Sequence, residues 1–321
     1  MKFLFLILAI ILFIAALILL TAYICFYTAF FVPKKKEMKK EFDLPPGKIY
    51  KPYHDIMIGW MKEAKKLPYE EFCITSFDGL KLYAKYYEYA KGAPIELMFH
   101  GYRGSAERDL CGGIQRCFSL GRNAFIVDQR TSGKSEGNVI SFGINESRDC
   151  LSWVDFLVEH FGADAKIILC GISMGASTVM IASGKLLPKN VVGVLADCGY
   201  STARDIIKKT ICEKKLPANM LYPFVKLGAK LYGHFDLEEI SPLEAIKNCS
   251  IPIFFIHGTA DDFVPFYMSQ EVFDVCPSAK QLVAVEGAGH GLAYPKDANG
   301  YLKSVAEFFT QNGVETPVIN R

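Results

Sequence analysis

Between Ile95 and Phe309, short apolar runs alternate with segments of helical pattern, and this alternation leaves the chain few architectures to choose from. The runs are Ile95 to Phe99, Ala124 to Val127, Ile167 to Cys170, Val191 to Ala196, Ile251 to Ile256 and Gln281 to Val285. Several are apolar throughout, as strands covered on both faces must be. Helical patterns lie between and after them, near Glu107 to Leu120, Glu146 to Phe161, Gly175 to Leu186, Pro265 to Val275 and Gly300 to Phe309. Strands that alternate with helices predict an α/β domain with a mainly parallel sheet and helices on both faces. Ahead of it, Glu71 to Ser76 and Lys81 to Tyr89 alternate in polarity around Asp78-Gly79, the signature of an antiparallel N-terminal hairpin. One stretch, Ser201 to Asn248, reads as helical and lacks a convincing strand. It predicts a small helical cap inserted above the sheet at 201–248.

The first residues obey a different rule. Phe3 to Val32 carries no charge, and at about 1.5 Å per residue it is long enough to cross a hydrocarbon core of about 30 Å. Its apolar core is longer than a cleavable signal normally has, and Ala22-Tyr23-Ile24-Cys25 is a poor cleavage site. Residues 1–33 therefore read as one transmembrane anchor. Lys34, Lys35, Lys36, Lys39 and Lys40 follow it, which places the large domain in the cytoplasm by the positive-inside rule. The alternative is an extracytoplasmic domain, or one secreted after cleavage. Tyr23, Phe26, Tyr27 and Phe30 read either as an aromatic boundary at one interface or as ordinary lipid-facing side chains. The expected division is the anchor, a basic linker with a short helix at 34–68, the catalytic domain with its cap at 69–312, and a tail at 313–321.

The chemistry-bearing residues fall at the ends of predicted strands. Ile167 to Cys170 runs into Gly171-Ile172-Ser173-Met174-Gly175, and a helix follows. In that context Gly-x-Ser-x-Gly is a nucleophile elbow: the serine is lifted from the sheet on a sharp turn, which needs small residues at Gly171 and Gly175. A serine is a weak nucleophile without a base, and the base needs an orienting carboxylate. Asp261 follows the strand at Ile251, and His290 sits in the glycine-rich loop after the strand at Gln281. Open α/β sheets place their sites at these carboxyl ends. The backbone N–H groups of Tyr102, after the strand at Ile95, and Met174 are candidates for an oxyanion hole. His100 reads as a structural histidine bracing that loop.

Taken together, His100-Gly101, Arg130-Thr131-Ser132-Gly133-Lys134-Ser135-Glu136-Gly137, Gly171-x-Ser173-x-Gly175, His257-Gly258-x-x-Asp261-x-x-Val264-Pro265 and Gly289-His290-Gly291 resemble the α/β-hydrolase superfamily. Within it the chain is most similar to bacterial serine-aminopeptidase-like and BEM46-like membrane-anchored hydrolases. The resemblance spans about Phe72 to Phe309. It implies the α/β-hydrolase fold, a Ser173, Asp261, His290 triad, and Asp261 rather than Asp262 as the acid. It implies no substrate, because this fold hosts many chemistries.

Other classes fit poorly. The net charge of +2 gives no reason to expect nucleic acid. Gly133-Lys134-Ser135 lacks the glycine five positions earlier that a phosphate-binding loop needs, since Asp128 stands there. The ten cysteines show no zinc spacing and read as small buried hydrophobes in a reducing compartment. No metal or organic cofactor is expected. The predicted activity is hydrolysis of a carboxylic ester or thioester, on a small-molecule or lipid-like acyl substrate. Amide or peptide hydrolysis on the same triad is the second reading, and a membrane-anchored binding or receptor protein with a hydrolase fold is the third. The lysines and apolar residues of the cap fit a solvated amphipathic lid or one that lies against lipid. Oligomeric state is not encoded in any of these features.

Overall fold

The structure, a computed structural model, describes residues 1–33 and 42–314. The lysine run at Lys34 to Lys40 and all but the first two residues of the tail lie outside the described residues. Among the described residues eight strands form one sheet: β1 (Glu70–Thr75), β2 (Lys81–Tyr87), β3 (Ile95–Phe99), β4 (Asn123–Asp128), β5 (Ile167–Ile172), β6 (Val191–Asp197), β7 (Ile253–Gly258) and β8 (Lys280–Val285). Their order across the sheet is β1-β2-β4-β3-β5-β6-β7-β8. The β1–β2 and β2–β4 pairs are antiparallel and all others parallel. The hairpin closes where the Ser76 hydroxyl donates to Asp78 Oδ1 at 2.6 Å and accepts the Leu80 N–H at 2.8 Å. The strand predicted from Ile251 begins at Ile253, because Pro252 has no N–H to give the ladder.

Twelve α-helices accompany the sheet among the described residues: α1 (Lys2–Ala29), α2 (His54–Ala64), α3 (Ala106–Asp109), α4 (Cys111–Ser119), α5 (Ile144–Phe161), α6 (Met174–Ser183), α7 (Ala203–Glu213), α8 (Ala218–Tyr232), α9 (Pro242–Ala245), α10 (Tyr267–Val275), α11 (Ala293–Lys296) and α12 (Ala298–Gln311). The single helix expected from Glu107 to Leu120 is two, because Leu110 leaves helical geometry at φ −105°, ψ 13°. The core splits by face. Trp153 and Leu157 of α5, Val179 and Met180 of α6 and Val272 of α10 cover one side of the sheet. Ile114 and Cys117 of α4 and Tyr301, Val305 and Phe309 of α12 cover the other.

Strand order decides where a site can form. The connection leaving β3 runs toward β4 on one side, and that leaving β5 runs toward β6 on the other. A crevice opens outside the carboxyl ends of strands whose connections diverge in this way. The loop after β4 is held against the crevice by a buried guanidinium: Arg130 donates to both oxygens of Asp149 at 2.7 and 2.8 Å and to Asp78 at 3.0 Å.

Between β6 and β7, α7 and α8 form the bulk of the cap, separated at Pro217. Helix α1 is one 28-residue helix, long and apolar enough to cross a membrane. Met1 to Leu20 is exposed throughout, whereas Ala22, Phe26 and Phe30 are buried against the cap and its surroundings. Of the four aromatic residues read as a lipid boundary or lipid-facing set, only Tyr23 and Tyr27 are exposed. Phe26 packs against α8 at Gly228, where a Cβ would lie 3.1 Å from its own, and Phe30 packs against the rings of Phe142 and Phe235.

Candidate active site

The turn from β5 into α6 puts Ser173 at φ 57°, ψ −120°, a conformation that L-residues rarely hold. Crowding explains the glycines around it. A Cβ on Gly171 would come within 2.1 Å of the Gly175 carbonyl oxygen, and one on Gly175 within 2.0 Å of the Phe99 oxygen. The turn is pinned by the Ser173 N–H, which donates to the Asp197 carbonyl at 2.8 Å.

Residues 117 positions apart then meet. His290 Nε2 lies 2.9 Å from Ser173 Oγ, and His290 Nδ1 lies 2.7 Å from Asp261 Oδ2. The acid is heavily supported. Its Oδ1 accepts the N–H groups of Phe263 and Val264 at 2.9 and 2.8 Å, while Oδ2 also faces His257 Nε2 at 3.1 Å. Burial raises the carboxyl pKa, but hydrogen bonds from His257 and His290 outweigh it and bring the value down to about 2. Asp262, by contrast, is exposed.

His257 is the partner that sequence reasoning missed. It is fully buried, with Nδ1 2.7 Å from the Ser269 hydroxyl and Nε2 2.8 Å from the Val264 carbonyl oxygen. These contacts are satisfied together when Nε2 carries the proton and Nδ1 accepts from Ser269. The signal was present, since His257 stands four residues before Asp261. His100 braces the neighbouring loop, with Nδ1 2.9 Å from the Gly101 oxygen and Nε2 accepting the Gln129 N–H at 3.2 Å.

Tyr102 stands three residues after β3, and Met174 directly follows Ser173 at the start of α6. Neither N–H has a backbone acceptor among the described residues. Beside Ser173 opens a cavity of about 570 Å³, walled by Ile49 and Tyr50 of the linker, Trp60 of α2, Met98 of β3 and Tyr294 of α11. Arg116, Asp197 and Tyr301 add a polar floor. Arg116 donates to Tyr301 Oη at 3.2 Å, and Tyr301 donates to Asp197 Oδ2 at 3.2 Å. Beneath them Glu96 is paired with Arg116 and Arg122. Burial opposes its charge, but the two guanidinium groups hold its carboxyl below the ordinary range.

Residues 140–314, more than half of the chain, match the prolyl oligopeptidase family, Peptidase_S9. The chain belongs to that family. It is a BEM46-like member of the α/β-hydrolase superfamily. An uncharacterized protein YqkD of Bacillus subtilis is 30% identical over 190 residues, 59% of this chain and 62% of the relative. The match therefore spans less than two thirds of that relative's length. Protein bem46 of Schizosaccharomyces pombe is 24% identical over 241 residues, covering 72% of each chain. Among solved structures, the Pyrococcus furiosus esterase Pf2001 superposes with a TM-score of 0.64 at 24% identity, covering 78% of this chain and 93% of that one. That likeness shows the α/β-hydrolase fold.

Proposed function

We propose that the chain is a membrane-anchored serine hydrolase that cleaves a carboxylic ester or thioester through an acyl-enzyme. The relay of 2.9 and 2.7 Å contacts from Ser173 through His290 to Asp261 carries this reading. In the first step Ser173 Oγ bonds to the acyl carbon while His290 Nε2 takes the hydroxyl proton. The carbonyl oxygen becomes an oxyanion, which the Tyr102 and Met174 N–H groups stabilise. The tetrahedral species collapses, the bond to the leaving alcohol or thiol breaks, and His290 returns the proton to it. Water then gives a proton to His290, attacks the acyl carbon and releases the acid, and the proton returns to Ser173. Asp261 keeps the imidazole in the tautomer that leaves Nε2 free to accept. The mostly apolar wall beside Ser173 suits an acyl or alkoxy group without charge near the scissile bond.

The family match favours peptide cleavage as the second reading. A panel of aryl esters, thioesters and peptide amides of matched acyl group separates the two. Esters and thioesters should turn over faster per enzyme, and amides cleaved at equal or greater rate would make the chain a peptidase.

We also propose that Phe3 to Leu20 spans the bilayer. These exposed, uncharged residues at about 1.5 Å each give about 27 Å, close to the thickness of the hydrocarbon core. The lysines after Pro33 favour a cytoplasmic domain. In intact cells, protease added outside should leave the domain uncut and membrane-bound at full size; digestion from outside would reverse the orientation.

A further inference from the structure

The last turns of α1 and the residues after it are built into the catalytic domain. Ala22 and Phe26 lie along α8, so closely that a Cβ on Gly228 would approach the Ala22 carbonyl oxygen to 2.4 Å. Tyr232 at the end of α8 donates to the Leu19 oxygen at 3.2 Å. Phe30 is fully buried, edge-on to Phe142 and Phe235 at 5.7 and 5.2 Å. Beyond the helix, Val32 donates to the Asn138 oxygen at 2.8 Å and Phe30 accepts from Ile140 at 2.9 Å.

The contact that matters chemically is with the loop after β3. Tyr102 Oη donates to the Ala29 oxygen at 2.7 Å. Arg103 Nη2 donates to the Thr28 and Phe31 oxygens at 2.9 and 3.0 Å. Carbonyls at a helix C-terminus have no partner within the helix, and a cation there also meets the negative end of the helix dipole. The two side chains thus complete α1, and α1 in turn holds them. Arg103 needs holding, because its φ of 53° is a backbone state that is unfavourable for a non-glycine residue and persists only where surroundings enforce it. From within the domain the same loop is tied at Gly101, whose N–H donates to Asp109 at 3.0 Å, and at Gly104, whose oxygen accepts from Ser132 at 2.9 Å. Between these ties, Tyr102 and Arg103 have side-chain hydrogen bonds to α1 and the segment that follows it.

We infer that the N-terminal helix is a working part of the active site: its C-terminal end grips Tyr102 and Arg103 and so fixes the Tyr102 N–H where the oxyanion develops. Tyr102, through its hydroxyl, and Arg103 are positioning residues. The inference rests on the serine-hydrolase reading of Ser173. Its size follows from the geometry of catalysis, in which a shift of about 1 Å can cost about 10²-fold in rate.

The test uses the full chain in lipid nanodiscs, with an aryl ester as substrate and a fluorophosphonate as active-site label. Tyr102→Phe combined with Arg103→Ala removes the grip from the loop side. Gly228→Leu removes it from the far side by forcing α1 off α8, without touching the cavity. Both should lower kcat and the labelling rate by about 10–100-fold, and Gly228→Leu, which lies outside the cavity, should leave KM unchanged. Combining them should add no further loss, since both break the same linkage, and Arg103→Lys should recover part of the rate. If Gly228→Leu does not fold, Phe26→Ala loosens the same seam. Wild-type kcat in the loop variant, a rise in KM alone, additive losses, or a loss that merely follows the melted fraction would each overturn the inference. Those outcomes require a wild-type protein that labels at Ser173. A wild type that neither labels nor turns over ester defeats the hydrolase reading itself, and the inference falls with it.

Discussion

Ser173→Ala should abolish ester turnover and fluorophosphonate labelling while the protein melts at nearly the wild-type temperature. The loss in kcat should approach 10⁶-fold, roughly what removal of the nucleophile costs a triad enzyme. A residue of about 10³–10⁴ over the uncatalysed rate can survive through the oxyanion donors and binding. The effect on the fold should be small because the side chain is small and, among the described residues, its hydroxyl bonds only to His290. The backbone geometry is set elsewhere, by the Asp197 carbonyl and by the glycines on either side. Labelling of the purified variant at the wild-type rate would place the nucleophile at another residue.

Asp261→Asn should lower kcat by about 10⁴-fold, and Asp262→Asn should change it little. All four groups around the Asp261 carboxylate are donors or can serve as donors: two backbone N–H groups, His257 Nε2 and His290 Nδ1. An asparagine can satisfy only one side of that arrangement. With its oxygen toward the backbone amides, its NH₂ faces the two imidazoles, and His290 is driven to the tautomer with Nε2 protonated. That imidazole cannot accept the Ser173 proton. The pH dependence follows from the depressed carboxyl. Its folded-state pKa of about 2 lies below the unfolded value, so its ionised form contributes stability above the unfolded pKa. That contribution is lost as pH falls toward 2, and the Asn variant should lack this limb in acid unfolding. Equal losses at 261 and 262, measured as kcat on one ester, would show that the acid has been misassigned.

The residues of the candidate site were legible because their signals are local. Gly171 and Gly175 report the crowding of a strand-to-helix turn, and Asp261 and His290 each follow a recognisable strand. Their order along the chain also fits the fold. The alternating apolar runs carried the sheet, apart from boundaries such as Pro252, where the missing N–H delays the strand by two residues. What could not be read depends on pairings between distant segments. Nothing in the run from Phe3 to Val32 distinguishes Tyr23, which is exposed, from Phe26, which is buried, since both are aromatic residues in an uncharged helix. Only the presence of α8, with Gly228 at the crossing, makes the difference. Trp60 and Tyr50 likewise belong to segments that read as linker and short helix, yet they wall the cavity because the chain returns over the crevice. Arg103 carried no signal of its own, since its partners are backbone carbonyls 72 and 75 residues away.

The divergence of connections at β3 and β5 has an implication for how such a molecule can change. Phe99 and Gly171 are directly registered across these two strands. Tyr102 and Met174 each stand three residues beyond that pair. The separation of the proposed donors therefore starts from the spacing of neighbouring strands, about 4.8 Å, and the grip of α1 then holds the Tyr102 side of it. The linker around Tyr50 and helix α2 with Trp60 lie over this frame and can be exchanged or resized without altering the gauge beneath them. Frame and cavity wall are thus written in separate parts of the chain, one in the hydrogen-bond lattice of the sheet and the helix end that grips it, the other in replaceable coverings.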